Sequence, residues 1–171
     1  MNDGVQIKNI QFNLDYWLDF QSIPQEERNR VKTAKVVLLP ANYPDAPHAF
    51  ASDTEVFLAY CRKHLGNDIN ICVTEDDFTQ LEMNSAVLRI GVVLVKYVVL
   101  PLFLNVLANF VYDKIKNKPK ENETEMECLA PPTVSFKLIV DDENGKTKEF
   151  SYEGPADDVK KVTDEIKDMW E

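Results

Sequence analysis

Apolar and polar positions change rhythm several times along the chain, and one run stands apart. From Ala86 to Tyr112 the residues read AVLRIGVVLVKYVVLPLFLNVLANFVY. A helix rises about 1.5 Å per residue, so about 20 apolar residues cross a bilayer core, and this run is long enough. Arg89, Lys96, Pro101, Asn105 and Asn109 interrupt it. On a helical wheel Arg89 and Lys96 share one face. Asn105, Asn109, Tyr112 and Lys116, at spacings of four, three and four, share another that points nearly the opposite way. Pro101 lies between them, with no N–H for the Tyr97 carbonyl and a ring that crowds it. The pattern predicts two amphipathic half-helices, Ala86–Leu100 and Pro101–Lys116, as one Pro-kinked helix or a helical hairpin.

Such a rod suits three environments. As a single span it lets Arg89 snorkel outward and gives Lys96 a bundle interior. A lysine near the bilayer centre costs about 2.5–3.5 kcal/mol, which the many Leu, Val, Ile and Phe residues outweigh. As a shallow dip, the halves fold back at Pro101. In the third environment protein covers the rod, either a partner subunit or the chain's own domains. Lys114, Lys116, Lys118 and Lys120 follow the run, whereas Glu75, Asp76, Asp77 and Glu82 precede it. The positive-inside tendency then sets the carboxyl-terminal part in the cytoplasm, yet Met1–Val5 offers no signal peptide to export the rest.

The flanks carry shorter rhythms. Val5–Tyr16 alternates with one slip of phase, predicting a strand with a bulge near Lys8–Asn9 or two short strands. Pro24 with Glu26 and Glu27 opens a short helix toward Ala34. Lys35–Leu39 is a compact apolar run, and Ser52-Asp53-Thr54-Glu55 has the capping-box arrangement. Val56, Phe57, Tyr60, Cys61, His64 and Leu65 recur at helical spacing before Gly66, and Ile69, Ile71 and Val73 alternate. Strand, helix and strand with short joints make a βαβ unit, with a right-handed crossover expected. Phe78–Met83 reads as a short helix.

Asn117–Pro132 is a charged linker closed by two prolines. Beyond it, Val134–Val140 alternates, Asn144-Gly145 signals a hairpin, and Phe150 and Tyr152 lie on the returning strand. Gly154-Pro155 opens a last helix with Val159, Val162, Ile166 and Met169 on one stripe. This ββα piece is too small to stand alone, so its sheet is expected to extend the first domain's sheet or a partner's. The expected class is α+β or α/β, in four parts: 1–85 with the βαβ unit, 86–116 hydrophobic, 117–132 linker, and 133–171 ββα.

Composition narrows the chemistry. The 171 residues carry a net charge of −10, which disfavours direct nucleic-acid binding. Cys61, Cys72 and Cys128 have no metal-type spacing and fit a reducing cytoplasm. In an open α/β sheet ligands gather at the carboxyl ends of strands. Here that rim holds Asn42, Tyr43, Asp45 and His48, with Glu75, Asp76 and Asp77 from the next loop. They are oxygen and nitrogen donors for a hard divalent ion, but equally turn-formers and caps. His64, Cys61 and Cys72 read as packed core groups. Gly145-Lys146-Thr147 sits in a hairpin turn rather than before a helix, and there is no phosphate loop or GxSxG elbow.

The segments VVLPLFLNVLANFVYDKIK and FKLIVDDENGKTKEFSYEGPADDVKKV, joined by the polar linker, resemble small accessory components of bacterial conflict (antiphage) operons. The resemblance covers less than half of the chain. It implies a partner-tethering role with no active site of its own. The expectation is therefore a non-enzymatic, membrane-associated adaptor on the cytoplasmic side, needing no cofactor or metal. A protein partner is expected, with a membrane or a second copy also compatible. Its contact residues would be Arg89, Lys96, Tyr97, Pro101, Phe103, Asn105, Asn109 and Phe110. The alternatives are a soluble subunit whose helix a partner buries, and a metal-dependent hydrolase using Asp45, His48 and Asp76 or Asp77.

Overall fold

The computed structural model describes residues 5–21, 23–43, 46–73, 78, 80, 87–116, 132–142 and 146–170. The βαβ unit forms as its pattern predicts. Strand β2 (Val36–Leu39) pairs in parallel with β5 (Ile69–Ile71), and helix α3 (Thr54–Leu65) connects them. All four β2 residues are buried, Val36 and Leu38 on one face and Val37 and Leu39 on the other. A strand covered on both faces reads as a continuous apolar run, which is why KVVLL carries no alternation.

The hydrophobic run divides differently from its wheel reading. Val87–Lys96 is not a half-helix but β6, a ten-residue strand at the centre of the sheet, antiparallel to β2 and parallel to β7 (Thr133–Asp141). Its Val, Ile and Leu residues supply both faces: Ile90, Val93 and Val95 join one core, Val92 and Leu94 the other. Such β-branched residues fit a pleated, buried surface better than the crowded turn of a helix. A bulge between Arg89 and Gly91 shifts the register against β7. Gly91 has φ +95°, and a Cβ there would lie 3.1 Å from the Ala51 Cβ, so both conformation and space call for glycine.

The helical half does form. One 3-10 turn, Tyr97–Val99, leads into α4 (Leu100–Lys116). Pro101 does not kink it. The Leu100 N–H already takes the Tyr97 carbonyl, so the missing proline donor falls in the first turn, where it displaces nothing. After α4 the chain returns as β7. A hairpin then joins β7 to β8 (Thr147–Pro155), and α5 (Val159–Trp170) closes the chain.

Strand β1 (Val5–Asn9) pairs with β8, giving the six-stranded order β1-β8-β7-β6-β2-β5. The ββα piece thus extends the sheet that β2 and β5 begin, and all three separated segments of sequence share one sheet. A second hairpin, β3 (Ala41–Tyr43) and β4 (Ala46–Ala49), stands beside it. Helices α3, α4 and α5 cover one face. Helices α1 (Leu14–Phe20) and α2 (Gln25–Thr33) cover the other through Leu18 and Val31. The strand expected through Tyr16 stops at Asn9, because Asn13 accepts from the Asp15 N–H and starts α1. Helix α2 begins after Pro24 with Glu26 and Glu27 in its first turn, as the sequence predicts.

Candidate functional site

Helix α4 has two sides of opposite character. Leu100, Phe103, Leu104, Val106, Leu107, Phe110 and Val111 are buried. Phe103 and Phe110 meet Phe57 edge-on at 6.1 and 5.0 Å between ring centres, which fixes α4 against α3. These two expected contact residues therefore point into the core. Tyr60 joins the same cluster and donates to Asp113 Oδ2 at 3.1 Å. Burial first, and then the Asp113 carboxylate, push its hydroxyl pKa upward.

The outer side carries the rest. Pro101, Asn105 and Asn109 are exposed, as is Tyr112 at 62%. The stripe of Asn105, Asn109, Tyr112 and Lys116 extends backward past the sequence expectation. Leu102, 50% exposed, lies three residues before Asn105, and Val98, 71% exposed, four before that. The alternation of fours and threes from Val98 to Lys116 is the seam spacing by which one helix packs on another. That spacing is present in the sequence from Val98 onward, where apolar residues continue the polar stripe. Tyr97 is 42% exposed and adds to the apolar end of the seam. At the far end Lys116 Nζ lies 5.8 Å from the centre of the Tyr112 ring.

The two basic residues inside the run are tied to different elements, Lys96 through its side chain and Arg89 through its backbone. Lys96 Nζ donates to the Lys32 carbonyl at 3.0 Å, in the last turn of α2, where a cation suits the helix dipole. The Arg89 N–H donates to Asp53 Oδ2 at 2.8 Å, and the Asp53 N–H donates to the Arg89 carbonyl at 3.0 Å. Asp53 thereby continues the ladder on the edge that β2 has left. The expected capping box, with Ser52 at the cap, does not form: α3 starts at Thr54 with Asp53 as its N-cap residue, the Ser52 hydroxyl donates to Asp53 Oδ2 at 3.5 Å, and that carboxylate is engaged with Arg89 rather than with the helix. Gln80 Oε1 instead accepts from the Glu55 N–H at 2.8 Å. Sequence spacing gave no signal for Asp53 or Gln80, since both act across long separations. The Arg89 Nε is buried and has no hydrogen-bond partner among the described residues.

Other candidates separate. Cys61 and Cys72 are buried, and burial pushes their thiols up to about 12 and about 11, so both stay protonated at neutral pH. The buried stripe of α3 is Thr54, Phe57, Leu58, Cys61 and Leu65. His64 and Val56 face solvent rather than the core, and the His64 ring lies 4.8 Å from that of Tyr60. Of the expected Phe78–Met83 helix only Phe78 and Gln80 are described, and neither is helical: Gln80 bridges to Phe50 in parallel β fashion. Asp45, Glu75, Asp76, Asp77 and the side chains of Asn42, Tyr43 and His48 lie outside the described residues. Among the described residues no group of three or more His, Cys, Asp or Glu side chains is placed to hold a metal ion. No protein-family model matches the chain, and neither a curated protein nor a solved structure matches it.

Proposed function

We propose that the chain is a non-enzymatic adaptor that holds a protein partner, and that an α-helix of that partner packs along the outer seam of α4. The exposed Val98–Leu102–Asn105–Asn109–Tyr112 seam, on a helix whose other side anchors the sheet, carries this reading. Val98 and Leu102 supply the apolar contact, about 1.5–3 kcal/mol for each side chain fully buried. Asn105 and Asn109 supply amide hydrogen bonds that fix register, the role a polar residue plays in a helical seam. A place among accessory components of bacterial conflict systems rests on the sequence resemblance alone.

The test is purification from the native source of the tagged full chain and of Leu102→Asp, followed by a cross-linker placed at Asn105. The reading expects one protein, cross-linked at Asn105, to copurify with the wild-type chain and not with Leu102→Asp, while thermal unfolding stays unchanged. Equal recovery by the variant contradicts it.

A membrane-associated adaptor is the second reading. Its support is the continuous helix Tyr97–Lys116, which has the length and composition to cross a bilayer. Insertion would strip the sheet of seven core side chains, a cost the partner reading avoids. Release of the chain from membranes by mild salt without detergent would remove this second reading.

A further inference from the structure

Among the described residues the sheet ends on one side at β5. The Lys35 N–H donates to the Asp68 carbonyl, and the Cys72 N–H donates to the Leu38 carbonyl. Backbone direction alternates along a strand, so Asp68, Asn70 and Cys72 address β2, while Ile69 and Ile71 turn their N–H and C=O groups away from it. The Ile69 and Ile71 side chains stay in the core, and their outer backbone edge forms the floor of a groove between α2 and α3.

The groove is graded in charge. Helix α3 returns the chain from β2 to the start of β5, so it runs against both strands. Helix α2, joined to β2 through Ala34 and Lys35, runs the same way. Arg62, from the last turn of α3, therefore flanks the start of β5, while Arg30, from the last turn of α2, is tied to the middle of the strand, its guanidinium donating to Asn70 Oδ1 and its carbonyl accepting from Asn70 Nδ2 at 3.3 Å. Glu27 and Glu55, from the first turns, flank its end. Glu55 and Arg62 are exposed and make no ion pair among the described residues.

We propose that this edge pairs with β5 of a second copy across a two-fold axis through Asn70. In the antiparallel arrangement Ile69 exchanges both backbone hydrogen bonds with Ile71 of the second copy, and Asn70 stands opposite Asn70. The same rotation turns the basic end of one groove onto the acidic end of the other. Arg62 meets Glu55 of the second copy. A two-fold interface demands such self-complementarity. Strands at about 4.8 Å also bring the covering helices of the two copies near the 8–10 Å spacing of packed helices. The net charge of −10 opposes association at long range, so the local unlike pairs select this edge.

The experiment uses the full chain in sedimentation equilibrium. The wild type is expected to be a dimer. Glu55→Arg alone and Arg62→Glu alone are each expected to be monomers with native far-UV circular dichroism, unfolding at the lower temperature that loss of the second copy brings. Mixed together they are expected to form a heterodimer, because one then carries two arginines and the other two glutamates at the paired positions. Independently, Asn70→Cys in a Cys128→Ser background is expected to form an intermolecular disulfide, since facing Cα atoms in an antiparallel pair fall within disulfide reach. A wild-type monomer up to millimolar concentration overturns the proposal. So does a dimer indifferent to both single substitutions, or a mixture that stays monomeric.

Discussion

Val87–Lys96 and Leu100–Lys116 are neighbours in one apolar run, yet they fold into opposite elements. The first half is buried from both sides, so its apolar residues need no helical period and show little of one. The second half is buried from one side, and its exposed residues fall at threes and fours. Burial geometry, not hydropathy, separates them. The strand half also carries Val87, Val92, Val93, Val95 and Ile90, whereas Leu is the commonest residue of the helix half, whose β-branched residues are only Val106, Val111 and Ile115. The sheet holds the first half as a central strand, so a membrane span could draw only on the helical part, Tyr97–Lys116.

That contrast can be broken most forcefully at its buried contacts. Phe103→Ala removes a fully buried ring from the helix half and is expected to lower unfolding free energy by about 3–5 kcal/mol in urea titration. Asn105→Ala, two residues along on the outer side, is expected to change it by less than about 0.5 kcal/mol. Equal effects would mean that α4 is not held as described. In the strand half, Gly91→Ala forces a side chain into a left-handed backbone against Ala51, with an expected loss of about 1–3 kcal/mol by the same titration. Asp53→Ala deprives the Arg89 N–H of its acceptor, and a loss of about 1–2 kcal/mol is expected.

A smaller effect comes from the two buried thiols beside these elements. Their folded-state pKa values, about 12 and about 11, lie above the ordinary value of 9.0. The unfolded chain therefore loses these protons first as pH rises. Their contribution is fully present below about pH 9 and is lost progressively toward the folded values. Urea midpoints should fall across that window, and less so in a Cys61→Ala variant compared with its own neutral-pH value. In the native state neither thiol should react with a disulfide reagent at neutral pH.

Much of the architecture was legible where local signals and burial agree. The β2-α3-β5 unit, the Pro24 start of α2 and the β7-β8-α5 hairpin and helix all carried their own punctuation. The Asn9–Leu14 corner was misread because the alternation of Ile10, Phe12 and Leu14 resembles a strand while Asn13 caps a helix. The α3 stripe was legible in period but not in phase: Val56 and His64 were grouped with the buried side, although Leu58 holds it. An apolar run of strand length cannot be told from a buried helix by periodicity alone, which is why 87–96 reads as helix in the sequence and folds as a strand. The outer seam was legible in spacing, but its amino end is apolar and so blended into the core pattern.

Hydrogen exchange of the full chain in detergent-free buffer tests most directly whether the apolar run serves as internal scaffold. The account predicts that backbone amides of 92–95 and 103–111 exchange slowly and together, at the rate of global unfolding, whereas Val98, 71% exposed, exchanges faster. Protection of 103–111 that arises only after lipid or detergent is added, with 92–95 exchanging freely, would contradict it.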